Sequence, residues 1–250
     1  MLTHGLDKFK EYFTGFENQY VLIGGTACSV LFDNLGTEFR ATKDIDMVLI
    51  VEALTKEFAE KFFQFVLDAD YEHRNKSTKL PQYYRFTKPK NAEFPGMIEL
   101  FSRNGSDVIL KNHNGLTPLH IDDEISSLSA ILLNQSYYEV LKSGSKIVDG
   151  VSVLGELSLV LFKMKAWLDL SERKANGESV DSDDIKKHKN DIFRLSRIIL
   201  NPEPITLPSE VKADVLEFFK KIQEEDVNLK ALQITGTKED IIQKFMTIFN

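Results

Sequence analysis

The stretch "KDIDMVLIVEAL", residues 43–54, begins an otherwise apolar run with two carboxylates. Side chains alternate between the two faces of a strand, so Asp44 and Asp46 share one face with Val48. Both faces become apolar after Asp46, which predicts a strand covered on both sides, with its polar end at the edge of the core. Two carboxylates at this spacing, roughly 6–7 Å between Cα atoms, repel each other unless a proton or a cation separates them.

A bound divalent cation is one explanation for this pair of aspartates. Carboxylate oxygens suit Mg²⁺ (or Mn²⁺), and Mg²⁺ in proteins also binds substrate phosphates. The alternative is that Asp44 and Asp46 are solvated residues at the start of a strand. Both interpretations stay open on this motif alone.

A second motif, "YVLIGGTACSVLF", occupies residues 20–32. Two glycines follow an apolar strand and open directly into a helix, which places bare backbone N–H groups at a helix N-terminus. Such an arrangement binds anions, and glycine lets a phosphate approach the backbone closely. The motif is neither a Walker A loop nor G-x-G-x-x-G. The alternative interpretation is a tight turn between a strand and a helix.

The third motif is a single acid, Glu99, within the short apolar strand "MIELF" at 97–101. A carboxylate in such a strand needs a partner or a metal ion. The three motifs follow one another in an informative order. A strand, a glycine pair and a helix come first, then the two aspartates on the next strand, then a lone acid on a later strand.

The hydrophobic pattern predicts a mixed α/β domain at 1–150 and a helical domain at 151–250, an α+β fold. Thr55 is a predicted helix N-cap, and Ser182 or Asp183 another. A connection rich in turns, with Gly144 and Gly150, follows a short helix around 137–141. The predicted helices are 5–17, 26–35, 55–68, 154–175, 185–200, 209–226 and 237–249, and the predicted strands are 20–25, 44–51, 82–87 and 97–101. A short strand followed by a turn is predicted at 107–115, and the segment at 124–133 is left without an assigned type.

Bulk properties narrow the function classes. The formal net charge of −7 argues against a broad nucleic-acid-coating surface, although a local basic pocket is compatible with it. The single cysteine excludes an intrachain disulfide framework. We expect a cytoplasmic protein without a membrane segment, because no apolar run reaches about 18 residues and the N-terminus lacks a signal-peptide pattern.

Two basic stretches are interpreted as solvated charge. One is the helix start at 186–189, for which a contact with the nucleotide or an acceptor RNA is the alternative interpretation. The other lies near the predicted site and belongs to a predicted edge strand and its neighbours. Its members are Arg74, Lys76, Lys79, Arg85, Lys88 and Lys90.

Together, the motifs resemble the DNA polymerase β-type nucleotidyltransferase superfamily, whose pattern is G-[GS], then D-x-[DE], then a third acid flanked by apolar residues. The form "R-x-T-x-D-I-D" at 40–46 resembles the AbiEii-type group of abortive-infection and toxin nucleotidyltransferases. Two later stretches, "LVLFKMKAWLDL" at 159–170 and "KKHKNDIFRL" at 186–195, resemble that group's lysine helix and the aspartate helix that follows it. The resemblance spans roughly 20–200.

The resemblance implies a polymerase β-like fold for the first domain and roles for individual residues. Gly24 and Gly25 would cradle the triphosphate, with a helix starting near Thr26. Asp44 and Asp46 would hold Mg²⁺.

Further roles follow from the same resemblance. Glu99 would be the third carboxylate, either a metal ligand or the base for the incoming nucleophile. Arg40 and Thr42 would bind the nucleotide, Lys163 would contact its phosphates, and Asp191 would be the helical-domain aspartate.

The sequence departs from the family pattern at three points. Gly25 replaces the usual serine and so removes a hydroxyl group. Lys165 is an alternative to Lys163, and because helical geometry separates the two by about 200°, both cannot face one cleft. Arg194 stands where many relatives have a second acid.

The implied reaction is transfer of a nucleoside monophosphate from a nucleoside triphosphate to an acceptor hydroxyl, with release of pyrophosphate. A toxin-like enzyme acting on RNA, such as tRNA, and restrained by an antitoxin is the first hypothesis. The alternatives are a transferase that modifies a small molecule such as an aminoglycoside, or a protein, and a degenerate nucleotide-binding module.

Overall fold

The computed structural model describes residues 3–71, 83–101, 131–132, 134–200 and 202–249. The strand predicted at 107–115 and nearly all of the segment predicted at 124–133 lie outside these residues, as do Arg74, Lys76 and Lys79. The chain divides into two compact units. The first comprises Met1–Leu133 and Leu141–Gly155, and the second comprises Asn134–Val140 and Glu156–Asn250.

The first unit is built on a six-stranded mixed sheet with the strand order β3-β4-β2-β1-β6-β5. Its helices in the described residues are α1 (Leu6–Phe13), α2 (Gly24–Asn34) and α3 (Lys56–Ala69), and its strands are β1 (Tyr20–Ile23), β2 (Asp44–Leu49), β3 (Tyr83–Thr87), β4 (Met97–Phe101), β5 (Ser145–Val148) and β6 (Val151–Leu154). Strand β2 is antiparallel to β1 and parallel to β4, whereas β3 is antiparallel to β4. The predicted α+β fold class, a mixed sheet followed by helices, is confirmed.

An aromatic core fixes α1 and α3 against the strands. Phe9 and Phe13 of α1 and Phe58 and Phe62 of α3 are fully buried. The Phe13 ring lies 5.5 Å from the Phe58 ring and 6.2 Å from the Phe62 ring, measured between centroids. Burial of rings of this size supplies much of the apolar stabilisation of a domain.

The boundaries of α3 agree with the predicted cap. Thr55 is the N-cap residue, and its hydroxyl oxygen accepts a hydrogen bond from the Phe58 amide at 3.2 Å. The hydroxyl therefore satisfies one of the amides that the first helical turn leaves without a partner.

A β-hairpin replaces the connection rich in turns that the sequence analysis expected after residue 144. Val148 pairs with Val151, so the loop is Asp149 and Gly150, which have φ angles of +49° and +76°. Positive φ at both loop residues is the geometry of the type I′ hairpin turn, for which Asp-Gly is a preferred sequence. Strand β6 then pairs in parallel with β1 at Leu22 and extends the sheet.

The second unit is helical. Its helices in the described residues are α5 (Glu156–Ala175), α6 (Ser182–Leu195), α7 (Ser209–Ile222) and α8 (Lys238–Ile248), while α4 (Gln135–Ser143) starts in this unit and ends in the first. The N-cap of α6 is Asp181 rather than the predicted Ser182 or Asp183, and its carboxylate accepts a hydrogen bond from the Asp183 amide at 2.9 Å. None of the helices in the described part of the chain has the length and apolar composition needed to cross a bilayer.

Candidate functional site

A row of charged side chains crosses three neighbouring strands of the first unit. In the parallel pair β2 and β4, Asp46 is the register partner of Glu99. In the antiparallel pair β3 and β4, Arg85 is the register partner of Glu99. Register partners on adjacent strands project from the same face of a sheet, about 4.8 Å apart along the hydrogen-bonding direction. The fold therefore brings the second aspartate of the pair and the lone acid onto neighbouring positions of one sheet face.

The Asp46 carboxylate lies directly against the start of α2. A Cβ atom built on Gly24 would be 2.0 Å from the Asp46 Oδ2 atom, a distance that only a glycine permits. Gly24 also has a φ angle of +65°, in the region that favours glycine. The positive end of the helix macrodipole stabilises a carboxylate at this position. Helix α2 begins at Gly24, two residues before the predicted start near Thr26.

The residues Arg40 and Thr42 lie beside the second glycine of the pair. A Cβ atom on Gly25 would be 2.8 Å from the Thr42 Oγ1 atom and 3.6 Å from the Arg40 Nη2 atom. Any side chain at position 25 would therefore press on Thr42. The Thr42 hydroxyl thus occupies the space into which a serine side chain at position 25 would project.

Thr26 and Asp44 connect the glycine helix to strand β2. The Thr26 hydroxyl donates a hydrogen bond of 2.5 Å to the Asp44 backbone carbonyl, and Thr26 is fully buried. This bond fixes the start of α2 against the start of β2, where both aspartates lie. The side chain of Thr26 is thus used within the protein, and a role of this residue toward a nucleotide stays a prediction.

The two aspartates provide donors that fit a divalent cation. Asp44 and Asp46 are half-buried and separated by one residue on the same strand, so their carboxylates share a face. Mg²⁺ commonly takes one or two protein carboxylates and completes its octahedron with phosphate and water oxygens. Among the described residues, no group of three or more His, Cys, Asp or Glu has the arrangement of a metal site. The metal-binding roles of Asp44, Asp46 and Glu99 stay predictions.

Arg85 is a charged residue of this row that the sequence analysis did not assign to the site. Its Nε and Nη2 atoms lie 2.7 Å and 2.6 Å from the Glu99 Oε1 atom. Both side chains are more than half shielded from solvent, with exposures of 35% for Arg85 and 14% for Glu99. The expectation of solvated edge charge was wrong for Arg85, because an enclosed carboxylate on the next strand requires a cationic partner. The apolar run around Glu99 already indicates in the sequence that this acid needs a partner, and a basic residue is such a partner.

A separate charged cluster lies in the second unit, between α5 and α6. The Lys163 Nζ atom is 3.1 Å from one oxygen of Asp191, and the Arg194 Nη1 atom is 3.0 Å from the other. The side chains of Lys163 and Asp191 are 6% and 0% exposed. Arg194, which stands where the family pattern has a second acid, therefore provides a second positive charge to the same aspartate. The contacts of Lys163 and Asp191 with a nucleotide stay predictions.

Lys165 points to a different helix. Its Nζ atom lies 3.1 Å from Asp214 on α7 and 3.4 Å from Asp169 on its own helix. Burial alone would lower the pKa of Lys165, but the two carboxylates outweigh burial and raise the pKa above its ordinary value. The two lysines thus project toward different helices, as the helical geometry required, and a nucleotide contact of Lys165 is likewise untested.

The buried cluster leads to a stability prediction. We expect Asp191→Leu to lower the free energy of unfolding of the second unit by about 3–5 kcal/mol, because it leaves the Lys163 ammonium buried without a counter-charge. The double variant Lys163→Met/Asp191→Leu should regain most of this loss, because it removes both charges of the buried pair. The positive charge that remains, on Arg194, is partly exposed to solvent. Urea unfolding monitored by the fluorescence of Trp167, the one tryptophan of the chain, measures both values.

The control for this prediction is Asp169→Leu, which leaves Lys165 a second carboxylate in Asp214. It should cost clearly less than Asp191→Leu. An equal loss for the two single variants, or a double variant as unstable as Asp191→Leu, would contradict the assignment of Lys163 and Asp191 as a buried charge pair.

Comparison with known proteins gives limited similarity. No family model and no curated protein matches the chain. Among solved structures, the chain is similar to an antigenic nucleotidyltransferase-like protein from Paracoccidioides brasiliensis, with 13% sequence identity and a TM-score of 0.45 over 97% of this chain and 99% of that chain. The sequence identity and the TM-score are both low, and the function proposed below rests on the residues of this chain alone.

Proposed function

We propose that this protein is a nucleotidyltransferase that moves a nucleoside monophosphate from a nucleoside triphosphate to an acceptor hydroxyl and releases pyrophosphate. One observation carries the proposal. The Asp46 carboxylate lies against Gly24 at the N-terminus of α2, with Glu99 as its register partner on the next strand. A helix start of the kind that binds anions and two acids from separate strands are thus adjacent, a combination that suits phosphoryl transfer to a hydroxyl.

In the proposed reaction, residues of the first unit have the following roles. The amides at the start of α2 bind phosphate oxygens, and the two glycines leave the backbone open to them. The Arg40 guanidinium, close to Gly25, adds positive charge at the same place. Asp44 and Asp46 would hold Mg²⁺ or Mn²⁺, which when bound neutralises phosphate charge and orients the reacting oxygens. Glu99 lies beside Asp46 on the neighbouring strand β4.

The finer part of the proposal concerns the acceptor. We propose RNA, with tRNA as the first candidate, and a toxin-like enzyme in the cytoplasm that is restrained by an antitoxin. The support is the resemblance of "R-x-T-x-D-I-D" at 40–46 and of the helices that contain Lys163 and Asp191 to the AbiEii-type group. The net charge of −7 is compatible with RNA as a substrate only through a local basic surface.

The experiment that tests the reaction offers the purified protein each of the four α-³²P-labelled triphosphates in turn. Each triphosphate is combined with total RNA, total protein or a mixture of small metabolites, in the presence of Mg²⁺. We expect label to enter the RNA fraction together with release of pyrophosphate. Label in the protein or metabolite fraction would support a transferase of another acceptor class. Binding of triphosphate without transfer to any fraction would support a degenerate binding module and overturn the proposal.

Removal of the divalent cation gives the next prediction. With excess EDTA, transfer should fall below detection, and it should return on addition of Mg²⁺ or Mn²⁺ beyond the chelator. The far-UV circular dichroism should be unchanged by EDTA, because buried apolar side chains hold the described helices and strands together. Full transfer in EDTA would exclude a metal role for Asp44 and Asp46.

A further inference from the structure

The ion pair between Arg85 and Glu99 bears on how the proposed reaction activates its acceptor. The inference rests on the proposed function and concerns a residue that lies outside the three sequence motifs. Both nitrogens of the Arg85 fork engage the same oxygen, Oε1, at 2.7 Å and 2.6 Å. Charge-assisted hydrogen bonds of this length are among the strongest that side chains make. The carboxylate of Glu99 is therefore held from one side.

The register of the strands fixes the order of groups along the row. Gly24 lies against Asp46, Asp46 pairs with Glu99, and Glu99 pairs with Arg85. Phosphoryl transfer places the attacking and leaving oxygens roughly in line on opposite sides of the phosphorus. If the leaving pyrophosphate is bound at the glycine end of the row, the acceptor hydroxyl enters from the end where Glu99 and Arg85 lie.

A glutamate in this position needs to be held. Its side chain has more rotatable bonds than that of aspartate, and its neighbour Asp46 carries the same charge. Without a cationic partner, repulsion would favour rotamers that turn the Glu99 carboxylate away from Asp46. Arg85 lies on the opposite side of Glu99 from Asp46, so it neutralises charge without entering the space next to the glycine pair.

We propose that Arg85 is a positioning residue that fixes Glu99 as the proton acceptor for the incoming hydroxyl. In this step the acceptor oxygen bonds to the α-phosphorus and its proton passes to the Glu99 carboxylate. The bond between the α-phosphorus and the bridging oxygen breaks, and pyrophosphate leaves with the electron pair. Arg85 touches neither the substrate nor the reacting atoms and acts through Glu99.

The test is a double-mutant cycle on the full chain with the variants Arg85→Met, Glu99→Gln and the combination of the two. Turnover is measured with the triphosphate and the acceptor fraction that the wild-type protein uses best, and triphosphate affinity is measured by calorimetry. Glu99→Gln should lower kcat by about 10²–10⁴-fold, the usual contribution of a general base. Arg85→Met should lower kcat by about 10–100-fold through misplacement of that base. Triphosphate affinity should change less than about threefold in both.

Non-additivity is the decisive result. In the combined variant, kcat should equal that of Glu99→Gln within about threefold, because Arg85 has no further role once the base is absent. Arg85→Lys, which keeps the charge but not the fork, should recover part of the loss of Arg85→Met. The matched control is Arg173→Met, which removes an arginine–glutamate pair of similar length, 2.6 Å to Glu178, in the second unit and should leave kcat unchanged.

Each other outcome overturns a defined part of the proposal. If the two single losses multiply in the combined variant, or if Arg85→Met weakens triphosphate binding and leaves kcat intact, Arg85 does not act through Glu99. If Arg85→Met fails to fold, the cycle is run with Arg85→Lys, for which the same multiplication of losses overturns the inference. If the wild-type protein transfers no label to any fraction, the proposed function itself fails, and this inference fails with it.

Discussion

Asp46→Asn is expected to abolish nucleotide transfer while the protein remains folded. Asn has the shape of Asp but no negative charge, so it is a poor ligand for a divalent cation. Asp46 also lies directly beside the start of α2, because its Oδ2 atom occupies the space next to Gly24. We therefore expect a loss of transfer of at least about 10²–10³-fold, the size found when a group that stabilises transition-state charge is removed.

The same substitution should have little effect on stability. The loss of the carboxylate at the helix N-terminus costs about 0.3–1 kcal/mol. Relief of the repulsion between Asp46 and its acidic neighbours Glu99 and Asp44 offsets part of that cost. A thermal midpoint within about 4 °C of the wild type is the expected result, since 1 kcal/mol corresponds to about 2–4 °C for chains of this size.

Asp149→Asn is the matched control for this variant. Asp149 is exposed in the turn of the β5–β6 hairpin, and asparagine adopts its positive φ angle readily. The control should keep full transfer. Turnover by Asp46→Asn within tenfold of the control would refute the role of the Asp46 carboxylate, and a large loss of stability would mean that the two effects have to be separated by a binding measurement.

The elements that depend on local pattern could be predicted from the sequence. Amphipathic spacing located α1 and α3, and the polar start of an apolar run located β2. The N-cap at Thr55 was predicted because a hydroxyl before a helical pattern satisfies a free amide.

The β5–β6 hairpin was missed although its signal was present in the sequence. The dipeptide Asp149-Gly150 stands between the short runs SKIV and VSVL, which both contain β-branched residues, and Asp-Gly between two strand-like runs is a strong local indication of a hairpin.

The lateral arrangement of the site required the structure. That Glu99 lies beside Asp46 depends on β4 pairing in parallel with β2, and strand order is a property of the whole sheet. The partner of Glu99 was missed for the same reason, because Arg85 belongs to a third strand and only the antiparallel register brings it opposite. The sequence around Glu99 indicated that this acid needs a partner. It did not indicate which of the basic residues is that partner.

The contact between Gly24 and Asp46 was also beyond the reach of sequence patterns. The glycine pair was explained by the approach of a phosphate, whereas the structure shows that the first glycine makes room for a carboxylate. In the proposed function both explanations apply together, because the carboxylate and a phosphate would share one cation at the helix start. Gly24 is then required for the position of Asp46 as well as for the open backbone.

Gly24→Ala should therefore cost activity out of proportion to stability. A methyl group at this position would lie 2.0 Å from the Asp46 Oδ2 atom and 3.0 Å from its Cγ atom, so the carboxylate has to move. Displacement of a catalytic group by about 1 Å can lower a rate by about 10²-fold, and we expect a loss of at least that size in transfer. The positive φ angle of +65° adds a cost in stability of about 1–2 kcal/mol for a residue with a Cβ atom.

Gly36→Ala separates the two effects. Gly36 has nearly the same φ angle, +64°, but a Cβ atom there would meet nothing within 4 Å. Both variants should lose about the same 1–2 kcal/mol in denaturant unfolding, because the backbone strain is the same. Only Gly24→Ala should lose transfer, because only there does the new methyl group displace a functional carboxylate. Equal transfer by the two alanine variants would show that the position of Asp46 against the helix start has no part in the reaction.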